Sequence, residues 1–119
     1  MINNFEFFNP VRIIFGSGEI SKAGKIAKKI GGKAILVSYK NQGSLQNSIR
    51  KIENILENQN VNYVKFYEIT PNPELNEIKR GIDLCKNEDV DMVIGMGGGS
   101  AMDAAKIIAA GVYYKEDLW

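Results

Sequence analysis

Val90-Asp-Met-Val-Ile-Gly-Met-Gly-Gly-Gly-Ser-Ala-Met-Asp-Ala-Ala-Lys-Ile-Ile-Ala-Ala110 is the stretch from which the rest of the chain can be read. It predicts a short apolar strand over Met92 to Ile94, a glycine turn, and an alanine-rich helix over Ser100 to Ala110. Such a turn lets backbone N–H groups converge, and the helix N-terminus behind it adds partial positive charge. Glycine matters because a Cβ would hinder both positive φ angles and the close approach of a phosphate. Gly95, Gly97, Gly98 and Gly99 put four glycines in five positions, more than a strand-to-helix turn alone requires. The stretch is neither G-x-G-x-x-G nor a P-loop. An anion site is the favoured reading, and a tight turn is the plainer one.

Within the helix, Ser100 and Asp103 have the spacing of an N-cap and its N3 partner, so a capping box is expected. A carboxylate there would also lie beside any pyrophosphate on the loop. Lys106, three residues further, can pair with Asp103 on one helix face. Ala101, Ala104, Ala105, Ile108 and Ala109 leave little polar face, which implies a helix pressed against a sheet.

Working outward, the chain after residue 33 reads β-α-β-α-β-α. Strands are expected over Ala34 to Val37 and Val61 to Phe66. Helical stripes follow at Leu45, Ile49, Ile52, Leu56 and at Leu75, Ile78, Ile82, Cys85. Ser44 suits the cap of the first of these helices, and Asn72 with Pro73 suits the start of the second. Upstream, Val11 to Phe15 reads as a strand. A helix with apolar positions Ile20, Ala23, Ala27 and Ile30 follows, closed by Gly31-Gly32. The fold class is α/β, a Rossmann-like parallel sheet with helices on both faces. Ligands of such sheets bind at the carboxyl ends of the strands. Three loops meet there: Ser38 to Gln42, Thr70 to Pro73, and Gly95 to Gly99.

The motif Gly97-Gly-Gly-Ser-x-x-Asp103-x-x-Lys106 resembles the diphosphate-binding signature of the iron-containing (group III) alcohol dehydrogenases. Phe8-Asn-Pro-Val-Arg-Ile-Ile-Phe-Gly16 and Thr70-Pro-Asn-Pro73 agree with it. The ending Tyr113-Tyr-Lys-Glu-Asp-Leu-Trp119 is similar to the butanol dehydrogenase-like members. The resemblance runs through the whole chain but matches only the N-terminal part of a family protein, about a third of its length. It implies an incomplete dinucleotide-binding domain over residues 1–119, without the helical C-terminal domain. That missing domain holds iron or zinc through an aspartate and three histidines. It further implies that Gly97, Gly98, Gly99 and Ser100 hold the pyrophosphate, and that Asn72 lies against the dinucleotide. Asp103 would lie near the nicotinamide end. Taken without the resemblance, Asn72 reads equally as a helix cap. Tyr113 and Tyr114 read as cleft aromatics or as packing.

The loop after the second strand bears on the cofactor. An acidic residue there typically binds the adenosine ribose and selects NAD. Here Ser38-Tyr39-Lys40-Asn41-Gln42 has no carboxylate, and Tyr39 stands where NAD-specific members carry aspartate. Tyr39 stacking on adenine, Ser38 or Asn41 bonding a phosphate and Lys40 supplying countercharge would favour NADP over NAD. The alternative is a solvated turn.

Composition limits the remaining options. The chain has 119 residues, a formal net charge of +1, one cysteine and no histidine. It therefore accommodates one domain, with no charge argument for nucleic acid. No apolar run approaches the roughly 20 residues of a membrane span, and the start lacks the pattern of a signal peptide. A lone Cys85 fits a reducing cytoplasm and a core position. Without histidine there is no imidazole base and no common transition-metal site, so the chain alone is expected to be inactive. By the resemblance, small alcohols or aldehydes such as butanol would be substrates of the complete enzyme only. Homo-oligomers are expected from an uncovered sheet edge or apolar helix face, and the resemblance implies dimers formed through the Phe5 to Phe15 region. A free-standing nucleotide-binding or assembly module without catalysis is the second functional class.

Overall fold

The computed structural model describes residues 12–112. Seven regular elements follow in order: α1 (Ala23–Ile30), β1 (Lys33–Tyr39), α2 (Gln46–Asn58), β2 (Asn62–Ile69), α3 (Leu75–Glu88), β3 (Met92–Gly95) and α4 (Gly99–Gly111). Single 3-10 turns, Glu19–Lys22 and Gly43–Leu45, lead into α1 and α2. The strands form one parallel sheet in the order β2-β1-β3. Ile35 sits opposite Val64 on one side and Val93 on the other.

β1 is central because its sequence is apolar on both faces. Ala34 to Ser38 are all fully buried, as expected of a parallel strand covered by helices on each side. Period-two alternation divides its side chains between two cores. Ile35 and Val37 join Phe66, Ile78, Ile82, Cys85 and Ile108 beneath α3 and α4. Ala34 and Leu36 join Ala27, Ile52 and Leu56 beneath α1 and α2. The expected α/β class, with helices on both faces, is what the chain adopts.

Local details differ from the sequence reading, each for a physical reason. Arg12 to Phe15 form no strand. Ile13 and Phe15 are 82% and 96% exposed, and no strand among the described residues pairs with this segment. Phe5 to Val11 and Tyr113 to Trp119 lie outside the described residues. Ile30 is 62% exposed rather than in the core stripe, since α1 ends on it and the backbone turns away at Gly31. Ser44 does not cap α2. It falls inside the 3-10 turn, and the cap position is Leu45 with no side-chain bond. Asn72 does not cap α3 either. The cap is Glu74, in a reciprocal box with Glu77, whose carboxylate accepts the Glu74 N–H at 2.8 Å. This is the capping-box geometry with an acid at both places, displaced two residues from the expected start.

β1 and β2 run beyond the expected boundaries, so Ser38 and Tyr39 belong to the strand rather than to a loop. No helix among the described residues is long and apolar enough to cross a membrane.

Candidate functional site

The strand ends bring the three loops into direct contact. Met96 N–H donates to the Val37 carbonyl at 2.9 Å, and Lys40 N–H donates to Ile69 at 2.9 Å. Side chains complete the junction. Ser38 Oγ donates to the Met96 carbonyl at 2.8 Å. Tyr39 Oη accepts the Gly98 N–H at 3.1 Å. Ser100 Oγ donates to the Pro71 carbonyl at 2.9 Å.

The glycines are required at this junction. Gly97 has φ of +137°, and a Cβ there would lie 2.7 Å from Tyr39 Cε2 and 3.0 Å from Ala101 Cβ. Gly95 lets α4 close on β3: a Cβ there would stand 2.6 Å from Ala105 Cβ. At Gly99, by contrast, a Cβ would meet nothing within 4 Å, so the start of α4 faces open space. The first-turn amides of Gly99, Ser100 and Ala101 have no intrahelical acceptor. Together with the helix dipole they make a cradle for an anion.

Two clefts meet at this cradle, sharing Pro71 and Ser100 as their common ridge. The first, about 490 Å³, is lined by Tyr39, Lys40, Asn41, Ser44, Leu45 and Thr70 among others. The second, about 510 Å³, is lined by Asn72, Pro73, Leu75, Gly99, Asp103 and Ile107 among others. An elongated ligand with a diphosphate at its middle fits two lobes joined at a helix N-terminus.

The structure brings most of the expected residues to this surface. Lys40 and Asn41 open onto the first cleft, Asn72 and Asp103 onto the second, and Ser100 onto both. Ser38 does not reach it. It is fully buried, with its hydroxyl bonded to Met96, so it braces the glycine loop instead of meeting a ligand phosphate. Tyr39 lines the first cleft, but its ring lies against Gly97 and its hydroxyl is already engaged. The Ser100–Asp103 capping box is absent. Gly98 takes the cap position, which places Ser100 inside the first turn, and no side-chain cap bond forms. Asp103 and Lys106 are both exposed, and no ion pair joins them.

Pro71 and Leu45 were not anticipated as site residues. The position of Pro71 inside Thr70-Pro-Asn-Pro73 was the available signal, but its contribution is a backbone carbonyl, which no side-chain pattern reports. Leu45 lines the cleft only because the 3-10 turn folds it back beside β1.

Comparison with known proteins agrees with this fold. The family model for iron-containing alcohol dehydrogenases matches residues 10–119. The chain belongs to the iron-containing alcohol dehydrogenase family. It is 37% identical to NADH-dependent butanol dehydrogenase A of Clostridium acetobutylicum, over 98% of this chain and 30% of that protein. It is 30% identical to the NADPH-dependent aldehyde reductase YqhD of Escherichia coli, over 98% of this chain and 30% of that protein. The crystal structure of NADH-dependent butanol dehydrogenase A from Thermotoga maritima superposes with a TM-score of 0.85 at 35% identity. It covers 98% of this chain and 29% of that one. The chain thus spans about 30% of the length of these relatives.

The family's metal does not fit the residues present. The chain has no histidine. Among the described residues, no group of three or more Cys, Asp and Glu side chains is placed to hold an ion. Cys85 offers no nucleophile: it is buried on the core face of α3, and burial pushes its thiol up to about 11.

Proposed function

We propose that this chain is the N-terminal, dinucleotide-binding part of a metal-dependent alcohol dehydrogenase. The observation that carries the reading is the pair of clefts meeting at the amide cradle of Gly99 to Ala101. There the diphosphate would lie on the helix N-terminus, with adenosine in the Tyr39–Leu45 cleft and nicotinamide in the Asn72–Asp103 cleft. The nicotinamide supplies hydride chemistry when bound. Gly98, Gly99 and Ser100 hold the diphosphate, and Asn72 and Asp103 orient the reactive end. Butanol or a similar primary alcohol, and its aldehyde, would be the substrates of the complete protein.

The β1 exit supports NADP over NAD. It carries no carboxylate to repel a 2′-phosphate, and exposed Lys40 stands in the first cleft to pair with one. Calorimetric titration of the 119-residue chain with both cofactors tests this. Tighter NADP binding is expected, and equal or tighter NAD binding would overturn the preference. Since the chain has no histidine and no described group of Cys, Asp and Glu is placed to hold an ion, the pure chain should not oxidise butanol even with iron or zinc added.

Self-association is part of the same reading. The outer edges of β2 and β3 have no strand partner among the described residues. Met102 and Ile107 on α4 are 48% and 39% exposed. Open edges and apolar surface favour pairing between copies. A stable monomer by light scattering at micromolar concentration would argue against it.

A further inference from the structure

Tyr39 stands in the way of the site it lines. Its ring is flush with Gly97, close enough that a Cβ on that glycine would lie 2.7 Å from Cε2. Its hydroxyl accepts the Gly98 N–H at 3.1 Å. A Cβ built on Gly98 would itself stand 3.2 Å from that oxygen. An oxygen atom of the protein therefore already occupies the acceptor position on the loop amide immediately before α4. The cradle amides beyond it, at Gly99, Ser100 and Ala101, remain open.

We propose that Tyr39 is an internal competitor for the diphosphate, which lowers dinucleotide affinity by holding the Gly98 amide until a phosphate oxygen displaces its hydroxyl. The idea rests, for the identity of the ligand, on the dinucleotide reading above. The exchange is favourable in principle: a phosphate oxygen carries charge, and charge-assisted bonds are roughly twice as strong as neutral ones. The phenol is held by geometry rather than by charge, with its ring seated in the gap that Gly97 leaves. On binding, the hydroxyl must rotate off or give up its bond, and that cost is subtracted from the affinity. Because the competition is over a phosphate contact, it weakens NAD, NADP and bare pyrophosphate alike. Tyr39 thus sets the affinity of the site, while the choice between cofactors falls to the groups around it, Lys40 first.

Tyr39→Phe tests this with the ring, and hence the packing on Gly97, retained. The probes are NADP, NAD and inorganic pyrophosphate, titrated calorimetrically into the wild-type chain and the variant. The expected result is tighter binding of all three by a common factor, on the order of two- to tenfold, the usual worth of one hydrogen bond. Faster hydrogen exchange at the Gly98 amide in the unliganded variant is expected alongside, and a merely structural ring would not produce it. Equal or weaker pyrophosphate binding by the variant overturns the proposal. If pyrophosphate tightens while neither dinucleotide binds either protein, the competition stands and the dinucleotide reading falls. If none of the three binds either protein, both fall. A thermal melt within a few degrees of wild type shows that the variant is folded; should it not be, Tyr39→Leu, which is smaller than the phenol and lacks its oxygen, is put through the same titrations with the same expected outcome.

Discussion

At the N-terminal ends of the strands, the turn from α1 into β1 is clamped by a carboxylate. Asp91 Oδ2 accepts both the Gly32 N–H at 2.8 Å and the Lys33 N–H at 3.1 Å. The Lys33 ammonium meets Glu88 at 2.8 Å, and Asn62 N–H donates to the Gly32 carbonyl at 2.9 Å. At the C-terminal ends the corresponding positions are held by hydroxyls: Ser38 on Met96, Tyr39 on Gly98 and Ser100 on Pro71. Charge closes one end, where Asp91 takes two backbone amides. Neutral hydroxyls brace the other and leave the amides at the start of α4 available. Of the two ends the second is the one suited to an anion, because the Asp91 carboxylate at the first occupies two amides and repels negative charge. The two ends also divide stability from binding, so substitutions at them should separate the two properties.

The largest effect is expected at Gly97. Alanine there must adopt φ of +137° and fit a Cβ 2.7 Å from the Tyr39 ring. Strain of that kind costs about 1–3 kcal/mol. Gly97→Ala should lower unfolding free energy by about 2–3 kcal/mol and dinucleotide affinity by about tenfold or more. Denaturant titration and calorimetry measure the two. An affinity that survives unchanged would mean the loop is not the diphosphate site.

Next comes Asp91→Ala, which removes the clamp at the opposite end. Two amides lose a charged acceptor but remain accessible to water, so a loss of about 1–2 kcal/mol is expected. Dinucleotide affinity should stay within about twofold, since nothing at this end touches either cleft. A large drop in affinity would erase the division between the ends.

Ser38→Ala should have the smallest effect, about 1 kcal/mol, from leaving the Met96 carbonyl without its hydroxyl donor. Affinity should fall only slightly, through a looser loop. A loss of NADP binding with NAD spared would show that Ser38 touches the extra phosphate after all, which its complete burial opposes.

Much of this architecture is legible in the chain itself. Apolar runs on both faces of β1, helical stripes ending in glycine or polar turns, and the four glycines Gly95, Gly97, Gly98 and Gly99 at the junction of β3 and α4 suffice for a parallel α/β sheet and an anion-binding end. Patterning decides these features because burial of whole faces outweighs any single contact. The motif Gly97-Gly-Gly-Ser-x-x-Asp103-x-x-Lys106 was enough for the family, which the match over residues 10–119 bears out.

Tertiary structure alone decided which polar groups are spent and which are free. Ser38, Tyr39 and Ser100 all read as ligand contacts or caps, yet Ser38 is buried against Met96, Tyr39 bonds Gly98, and Ser100 bonds Pro71. Asn72 had the composition of a cap, but Glu74 and Glu77 closed a box two residues later. A hydroxyl or amide has the same local preference wherever it stands. Its partner is chosen by groups tens of residues away in sequence, such as Asp91 for Gly32 and Tyr39 for Gly98. That choice is made only when the strands align and their ends come together.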